Sequence, residues 1–140
     1  MNPTPDRNVV EAQRWLDQAQ ADLAAARDAM KDEHFEWACF QSQQAAEKAL
    51  KAYLFRRGED ELIGHSTKRL AERCVQYEQV FAAHVEACAA LDKLYVPTRY
   101  PNGLPEGSPH EFYSHRDAEQ AIGQAAGVLQ LVKAHVGVKK

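Results

Sequence analysis

Arg99 is the residue of this 140-residue chain whose setting most strongly suggests chemistry. It stands between Pro97 and Pro101, and the fixed φ angles of proline restrict the backbone around it. A guanidinium that is held in one place suits bidentate binding of a phosphate group. The same side chain could instead pair with a carboxylate such as Glu47, or cap helix carbonyls and fasten a loop to the fold. The sequence leaves both interpretations open.

Three tyrosines lie near Arg99 in the sequence, namely Tyr95, Tyr100 and Tyr113. Their rings could stack on a nucleotide base. Tyrosines in such a place also commonly anchor a loop to the core, with the hydroxyl hydrogen-bonded. Both roles remain candidates here.

Further basic residues lie in two places. Lys48 and Lys51 follow Gln44 on one predicted helix, where they form either a polar stripe that meets phosphates beside Arg99 or a solvated face. A second group could contact RNA or an acidic partner, although interspersed acidic residues also suit a solvated surface. Its members are Arg56, Arg57, His65, Lys68, Arg69 and Arg73. His65 is titratable, but a lone histidine at a turn usually makes a structural hydrogen bond.

Other kinds of site find little support. His110 and His115 lack a third ligand and the usual zinc spacing, so no metal site is predicted. The three cysteines are widely spaced and include no CxxC pair, which argues against a disulfide framework and favours a reducing cytoplasm. No P-loop, nucleophile elbow or clean carboxylate dyad is present, so nothing local indicates a hydrolase.

Charge and hydropathy exclude further classes. The formal net charge of −3 argues against an autonomous binder of double-stranded DNA. Residues 1–10 lack the apolar core of a signal peptide, and no run approaches the roughly 18 to 20 apolar residues of a membrane span. We therefore expect a cytoplasmic protein that does not contact membranes.

The elements that must position these residues are helices. The chain has 23 alanines against 10 valines and 2 isoleucines, a composition that favours helix over strand. Nine alanines lie on or beside the predicted helix stripes, where the helices approach closely. Alanine buries little apolar surface, so burial against a second subunit would add the stabilisation that this core lacks. The nine are Ala12, Ala19, Ala26, Ala38, Ala45, Ala49, Ala118, Ala121 and Ala125.

The periodicity predicts an up-and-down bundle of four long helices and one short helix. The first follows a capping box at Asn8 and Glu11, the second covers about 35–57, the short third about 67–77, the fourth about 79–95, and the last begins after Ser114 and ends at Gly137. A flexible lead (1–8) and a tail (138–140) flank one domain (9–137). The Pro-rich loop over 95–113 is longer than usual for a bundle, as functional loops often are.

Several segments together resemble the HEPN domain family, the higher eukaryote and prokaryote nucleotide-binding domains, in its prokaryotic stand-alone form. The segments are QQAAEKALKA from Gln43, the RYPN sequence Arg99–Asn102, His65 after the turn, and Tyr113 before a helix of the form Asp-Ala-Glu-x-Ala. The resemblance covers about residues 12–136. It implies a five-helix, usually homodimeric domain that binds nucleotides of the ATP or GTP class, without another cofactor.

The resemblance also implies partners and a site. Relatives occur beside minimal nucleotidyltransferases and in toxin–antitoxin pairs. The nucleotide-binding residues that we predict are Arg99, Tyr100, Asn102, Lys48, Lys51, Tyr113 and His65. Some branches are metal-independent ribonucleases with an Arg-x4–6-His motif, but the next histidine after Arg99 is His110, outside that window. The ribonuclease, with Arg99 as its catalytic residue, and a pure interaction module are therefore the alternatives.

Overall fold

The computed structural model describes residues 7–137, and within them every regular element is helical. The α-helices are α1 (Arg7–Lys31), α2 (Phe35–Arg56), α3 (Thr67–Val75), α4 (Val85–Asp92), α5 (Pro109–Phe112) and α6 (His115–His135). Short 3-10 helices cover Gln79–His84 and Pro101–Gly103. The predicted all-α bundle is confirmed.

The predicted lead differs from the structure at its end. Arg7 and Asn8 already belong to α1, so Asn8 is not the N-cap, and its side-chain amide instead donates to the carbonyl of Phe55 at 2.8 Å. The remaining lead residues and the tail, 1–6 and 138–140, lie outside the described residues.

Helix α2 is the centre of the bundle. It packs against α1, α6 and α3, and 14 of its 22 residues are buried. All nine alanines of the predicted stripes are buried, with at most 3% exposure, because they lie where α1, α2 and α6 approach one another. A methyl group at these contacts lets the helix backbones come close.

The predicted fourth long helix is split. Its first part, Gln79–His84, is a 3-10 helix in which Phe81 is the one buried residue, packed on Tyr53 with ring centroids 4.6 Å apart. Because Phe81 is the one buried residue of this segment, the segment has no apolar stripe that would favour an α-helix over a 3-10 helix. The α-helical part ends at Asp92 rather than near residue 95, shortly before Pro97, which disfavours helix at the residue before it.

The long loop between α4 and α6 has its own structure. The Thr98 hydroxyl donates to the carbonyl of Leu94 at 2.6 Å, and the backbone N–H of Arg99 donates to the carbonyl of Val96 at 3.0 Å. Gly103 passes so close to Pro97 that a Cβ atom there would lie 3.0 Å from the Pro97 Cα. The loop then enters α5 and the capping box formed by Ser114 and Asp117, as predicted. Along residues 7–137 no helix combines the length and the hydropathy that crossing a membrane requires.

Candidate functional site

Asp92 brings two distant parts of the chain together. Its carboxylate accepts hydrogen bonds from the Ser66 hydroxyl at 2.7 Å and from the backbone N–H of Thr67 at 2.6 Å, and so it caps the N-terminus of α3. His65 precedes that cap, and Tyr95 follows Asp92 by three residues. The rings of His65 and Tyr95 are consequently stacked, with centroids 4.6 Å apart and planes inclined by 19°.

A buried polar cluster on α2 lies against His65. The Glu47 carboxylate is 3% exposed and accepts a hydrogen bond from Lys51 Nζ at 3.0 Å. The amides of Gln43 and Gln44 also donate to it, at 3.4 and 3.3 Å. The two side chains of the ion pair are almost completely buried, and the Lys51 ammonium lies 5.5 Å from the centre of the Trp15 ring. We call Glu47 with these partners the Glu47 cluster.

The Glu47 cluster also orients the histidine. Nδ1 of His65 lies 3.3 Å from each Glu47 carboxylate oxygen. Because an ionised carboxylate accepts but cannot donate, this contact assigns a proton to Nδ1. The imidazole of His65 has one edge held by a buried carboxylate and one face on Tyr95, and its side chain is still 56% exposed to solvent.

Arg99 lies among aromatic rings. Its guanidinium carbon is 4.5 Å from the ring centres of both Phe40 and Tyr95, and 5.4 Å from that of Tyr100. Nε donates to the carbonyl of Tyr95 at 2.8 Å, while the two terminal nitrogens have no hydrogen-bond or ion-pair partner within residues 7–137. We call these four residues the Arg99 cluster. Its cation is oriented and retains unused donors, which is the arrangement that binds an anion.

Two half-exposed rings border this cluster. Tyr100 is 53% exposed on the loop side. Trp37, one helical turn before Phe40 on α2, is 45% exposed and meets the Phe40 ring edge-on with centroids 6.1 Å apart. Tyr100 is thus an exposed ring beside the oriented guanidinium, and Trp37 is an exposed ring next to Phe40. Exposed rings near a held cation suit stacking of a base next to a bound phosphate.

The structure brings together only part of the predicted set. Arg99 and Tyr100 are in contact, and His65 joins them through Tyr95. Asn102 lies exposed two residues beyond Tyr100, in the 3-10 turn. Neither structural alternative for Arg99 is found as predicted. Glu47 pairs with Lys51, and the carbonyl that Arg99 binds belongs to Tyr95, in the loop beyond the end of α4.

The other predicted residues are engaged elsewhere. Lys48 Nζ binds the Asp22 carboxylate at 2.6 Å and so connects α2 to α1. Lys51 is buried in the Glu47 cluster, since apolar walls and a carboxylate surround it. Tyr113 is 8% exposed and belongs to the core, where burial raises the pKa of its hydroxyl. These placements do not put Lys48, Lys51 or Tyr113 beside Arg99.

The predicted set of site residues omits two contributors, Phe40 and Glu47, although Glu47 was considered as a partner for Arg99. Phe40, Gln44, Glu47 and Lys51 follow one another at intervals of four, three and four residues, so they share one face of α2. This spacing was the available signal that one helix face carries both the ring below Arg99 and the carboxylate below His65.

A separate polar cluster joins α2 to the segment after α3. The Tyr53 hydroxyl donates to Glu78, and Arg57 Nη2 lies 2.9 Å from the same carboxylate. Burial opposes ionisation of Glu78, but hydrogen bonds from Tyr53 and Arg57 outweigh it and lower the pKa of the carboxyl. Burial, and then the bond to Glu78, raises the pKa of the Tyr53 hydroxyl. Glu78 thus connects α2 to this segment through Tyr53 and Arg57 Nη2, while Arg57 Nε is buried without a hydrogen-bond partner within residues 7–137.

The fold and site define a class: an all-α bundle domain, organised around one buried helix, whose longest loop holds a cation among aromatic rings. The HEPN domain family profile matches residues 12–135, and the chain belongs to that family.

Solved structures agree with this assignment. TT1696 from Thermus thermophilus is 38% identical with a TM-score of 0.84, covering 89% of this chain and 97% of its own. ST0689, described as an archaeal HEPN homologue, is 38% identical with a TM-score of 0.75, covering 90% of this chain and 98% of its own.

A sequence relative is a protein named "Putative toxin MJ1304" from Methanocaldococcus jannaschii. It is 26% identical over 134 residues, covering 90% of this chain and 88% of that protein.

Proposed function

We propose that this HEPN domain binds the phosphate of a nucleotide through Arg99. The observation that carries the proposal is the guanidinium itself, which three aromatic rings and one carbonyl hold in place while its terminal nitrogens stay without a partner within residues 7–137. Two parallel N–H donors of this kind match two oxygens of a phosphate. The exposed ring of Tyr100 then supports the base, and Asn102 lies near enough in sequence to contact the ligand.

Calorimetric titration with ATP, GTP and UTP tests this proposal. Loss of a hydrogen-bonded ionic contact costs about 1.5–3 kcal/mol, so Arg99→Ala should weaken binding by roughly 10- to 150-fold. Arg99→Lys should recover only part of it, because an ammonium lacks the planar pair of donors. Arg116→Ala removes an exposed arginine of α6 and serves as the matched control.

Two results would contradict nucleotide binding through Arg99. One is the absence of any heat of binding at millimolar nucleotide, which would favour a pure interaction module. The other is an Arg99→Ala protein that melts at a lower temperature but binds nucleotides as the unmodified protein does, which would assign Arg99 to the fold.

We also propose that the domain works as a homodimer and as the toxin-like component of a pair with a minimal nucleotidyltransferase. The likeness to the protein named "Putative toxin MJ1304" supports the toxin-like role. The small residues at the helix contacts support a dimer, since a second subunit would add the burial that an alanine-rich core lacks. Sedimentation velocity should show a dimer at micromolar concentration, and a stable monomer would contradict this. A nucleotidyltransferase reading frame beside the gene would support the partner.

One observation favours a second candidate, a metal-independent ribonuclease. Arg99 has no histidine after it at the Arg-x4–6-His spacing, but His65 stacks on the same tyrosine ring that Arg99 covers and could take that role. With Nδ1 held by Glu47, Nε2 of His65 can accept the proton of a ribose 2′-hydroxyl as its oxygen attacks phosphorus, while Arg99 neutralises the phosphate. The bond between phosphorus and the 5′-oxygen breaks, and that oxygen takes a proton from water and leaves as the 5′-hydroxyl.

This candidate predicts cleavage of RNA in the presence of EDTA, with a 2′,3′-cyclic phosphate and a 5′-hydroxyl as the new ends. His65→Ala and Arg99→Ala should each abolish cleavage. Intact RNA after prolonged incubation with the purified dimer, across several sequences, would rule it out and leave binding as the function.

A further inference from the structure

A groove of about 460 Å³ lies between α1 and α6. Its floor is apolar, and four polar side chains surround the floor. The floor is formed by Leu23, Ala126 and Leu129, and the polar side chains belong to Gln20, Arg27, Gln130 and Lys133. We call this feature the α1–α6 groove. Within residues 7–137 neither the Arg99 cluster nor the Glu47 cluster contributes to its lining, so the function proposed above does not use it.

The charge of the α1–α6 groove is positive. Arg27 and Lys133 are both exposed, and neither has an ion-pair partner within residues 7–137. In the same part of the chain no carboxylate lines the groove. Lys48, which lines another groove along α1, is by contrast bound to Asp22 at 2.6 Å. The α1–α6 groove therefore offers two free cations to an anionic ligand.

The two helices that form the groove run in opposite directions. The start of α1 meets the end of α2, where the Asn8 amide donates to the carbonyl of Phe55. The starts of α2 and α6 lie together, because the rings of Phe35 and His115 meet edge-on there with centroids 5.7 Å apart. Helix α1 is thus antiparallel to α2, and α6 is parallel to α2. Early residues of α1 consequently face late residues of α6.

This direction places the two cations at opposite ends of the groove. Lys133 is the last lining residue of α6 and lies toward Gln20, the first lining residue of α1. Arg27 is the last lining residue of α1 and lies toward Ala126, the first lining residue of α6. From Gln20 to Arg27 the chain makes two helical turns, about 10 Å at 1.5 Å per residue. A ligand that binds both cations must carry two anionic groups about that far apart.

An amphipathic α-helix meets this requirement. Side chains at positions i and i+7 share one helix face and are two turns apart, so two carboxylates at those positions can reach the two cations. An apolar side chain at i+3 then lies between them, over the apolar floor. Helices α1, α2 and α6 pack on one another, and a helix laid in this groove would complete a four-helix arrangement. Binding of a helix in a groove is a recurring mode of protein recognition.

We propose that the α1–α6 groove binds an acidic amphipathic helix of a partner protein, with carboxylates two turns apart on Arg27 and Lys133. Charge complementarity carries the proposal, which does not depend on nucleotide binding at Arg99. A second copy of this chain fits less well, because within residues 7–137 no helix has acidic residues seven positions apart, and a two-fold contact would bring cations against cations. Single-stranded nucleic acid fits less well too, because no aromatic ring lines this groove in the described part of the chain.

NMR titration of the isotope-labelled protein with synthetic peptides tests the proposal. The probe is an alanine-rich peptide of about 18 residues, long enough to form a helix, with the pattern Glu-x-x-Leu-x-x-x-Glu. Amide signals of residues 20–27 and 126–133 should shift. Replacing both glutamates of the peptide with glutamine should weaken binding by about tenfold, because two exposed ion pairs are lost.

Charge-reversed variants make the test specific. Arg27→Glu/Lys133→Glu should weaken binding of the glutamate peptide by more than tenfold and should instead bind a peptide with lysine at both glutamate positions. Lys31→Glu/Arg116→Glu is the matched control, since it reverses one exposed cation on each of the same helices outside the groove. Arg99→Ala should leave peptide binding unchanged.

Several outcomes would overturn the inference while leaving nucleotide binding at Arg99 intact. They are the absence of any shift at millimolar peptide, equal affinity for the glutamate and glutamine peptides, and an equal loss of affinity in the groove and control variants. A change of oligomeric state in Arg27→Glu/Lys133→Glu would instead make the groove a contact between copies of this chain. An oligothymidylate of about 12 nucleotides that binds more tightly than the peptide, and through the same two cations, would make the ligand a nucleic acid. Either result would show that the inference is wrong.

Discussion

Replacing Glu47 with leucine should destabilise the protein far more than the loss of one surface charge would. The substitution leaves the Lys51 ammonium, 5% exposed, without its partner at 3.0 Å. Breaking a buried ion pair on one side costs about 3–5 kcal/mol. With a urea m-value of about 2 kcal/mol/M for a domain of this size, the midpoint of unfolding should fall by about 1.5–2.5 M.

The double variant Glu47→Leu/Lys51→Met sharpens this prediction. Replacing both members of a buried pair by apolar side chains is often nearly neutral. Gln43 and Gln44 each keep another acceptor, the His65 carbonyl at 2.9 Å and the Gln43 side-chain oxygen at 2.7 Å. We therefore expect the double variant to be more stable than Glu47→Leu, and within about 1–2 kcal/mol of the unmodified protein.

The assay is urea unfolding at pH 7, followed by circular dichroism. The control is the pair Lys68–Glu72, which has the same i,i+4 spacing but is about half exposed, with 4.0 Å between its charged atoms. Lys68→Met should cost less than about 0.5 kcal/mol. A cost of less than about 1 kcal/mol for Glu47→Leu would refute a buried, coupled ion pair, and so would a double variant that loses as much stability as the two single variants together.

Two further predictions concern the loop and the thiols. Gly103→Ala should lower the free energy of unfolding by about 1–3 kcal/mol, because the new Cβ atom would lie 3.0 Å from the Pro97 backbone. Gly123→Ala on α6 is the control, because a Cβ atom there has nothing within 4 Å. It should raise the free energy of unfolding by about 0.5–1 kcal/mol in the same urea assay. Equal effects would contradict the close approach. Burial raises the pKa of the Cys39 and Cys88 thiols from 9.0 to about 12, so between these values the unfolded chain has released protons that the folded protein retains. Stability should consequently fall as the pH rises above 9, by up to about 1.4 kcal/mol per pH unit for each thiol, and the decline should be shallower in Cys39→Ala/Cys88→Ala. An unchanged slope in that variant would contradict the assignment.

The fold was predictable from sequence wherever one helix face repeats over several turns. The stripes of α1 and α6 recur at intervals of four and three residues, and the buried residues of both helices follow them. Prediction was wrong at residues 79–84, where one buried phenylalanine holds the segment through a contact with Tyr53, 28 positions earlier. Local periodicity contains no information about such an anchor.

The site was predictable only in its local part. The two prolines around Arg99 indicated a positioned cation, and its carbonyl bond to Tyr95 is a contact between near neighbours. The ring beneath it belongs to Phe40, 59 residues away, and the histidine beside it is placed by the capping of α3 through Asp92. The burial of Lys51 could not be predicted either, because its position on the helix is equally compatible with a solvated face and with burial against Trp15.

The contact between Trp37 and Phe40 gives the protein an optical reporter of its own. The chain has two tryptophans, and Trp15 lies against Phe55, with 5.4 Å between the ring centroids. Trp37 is half in water and touches the ring that lies under the Arg99 guanidinium. Once Trp15 is replaced by phenylalanine, the remaining indole emission comes from the border of the Arg99 cluster alone. Its wavelength and intensity then follow the hydration of that border directly, without a label.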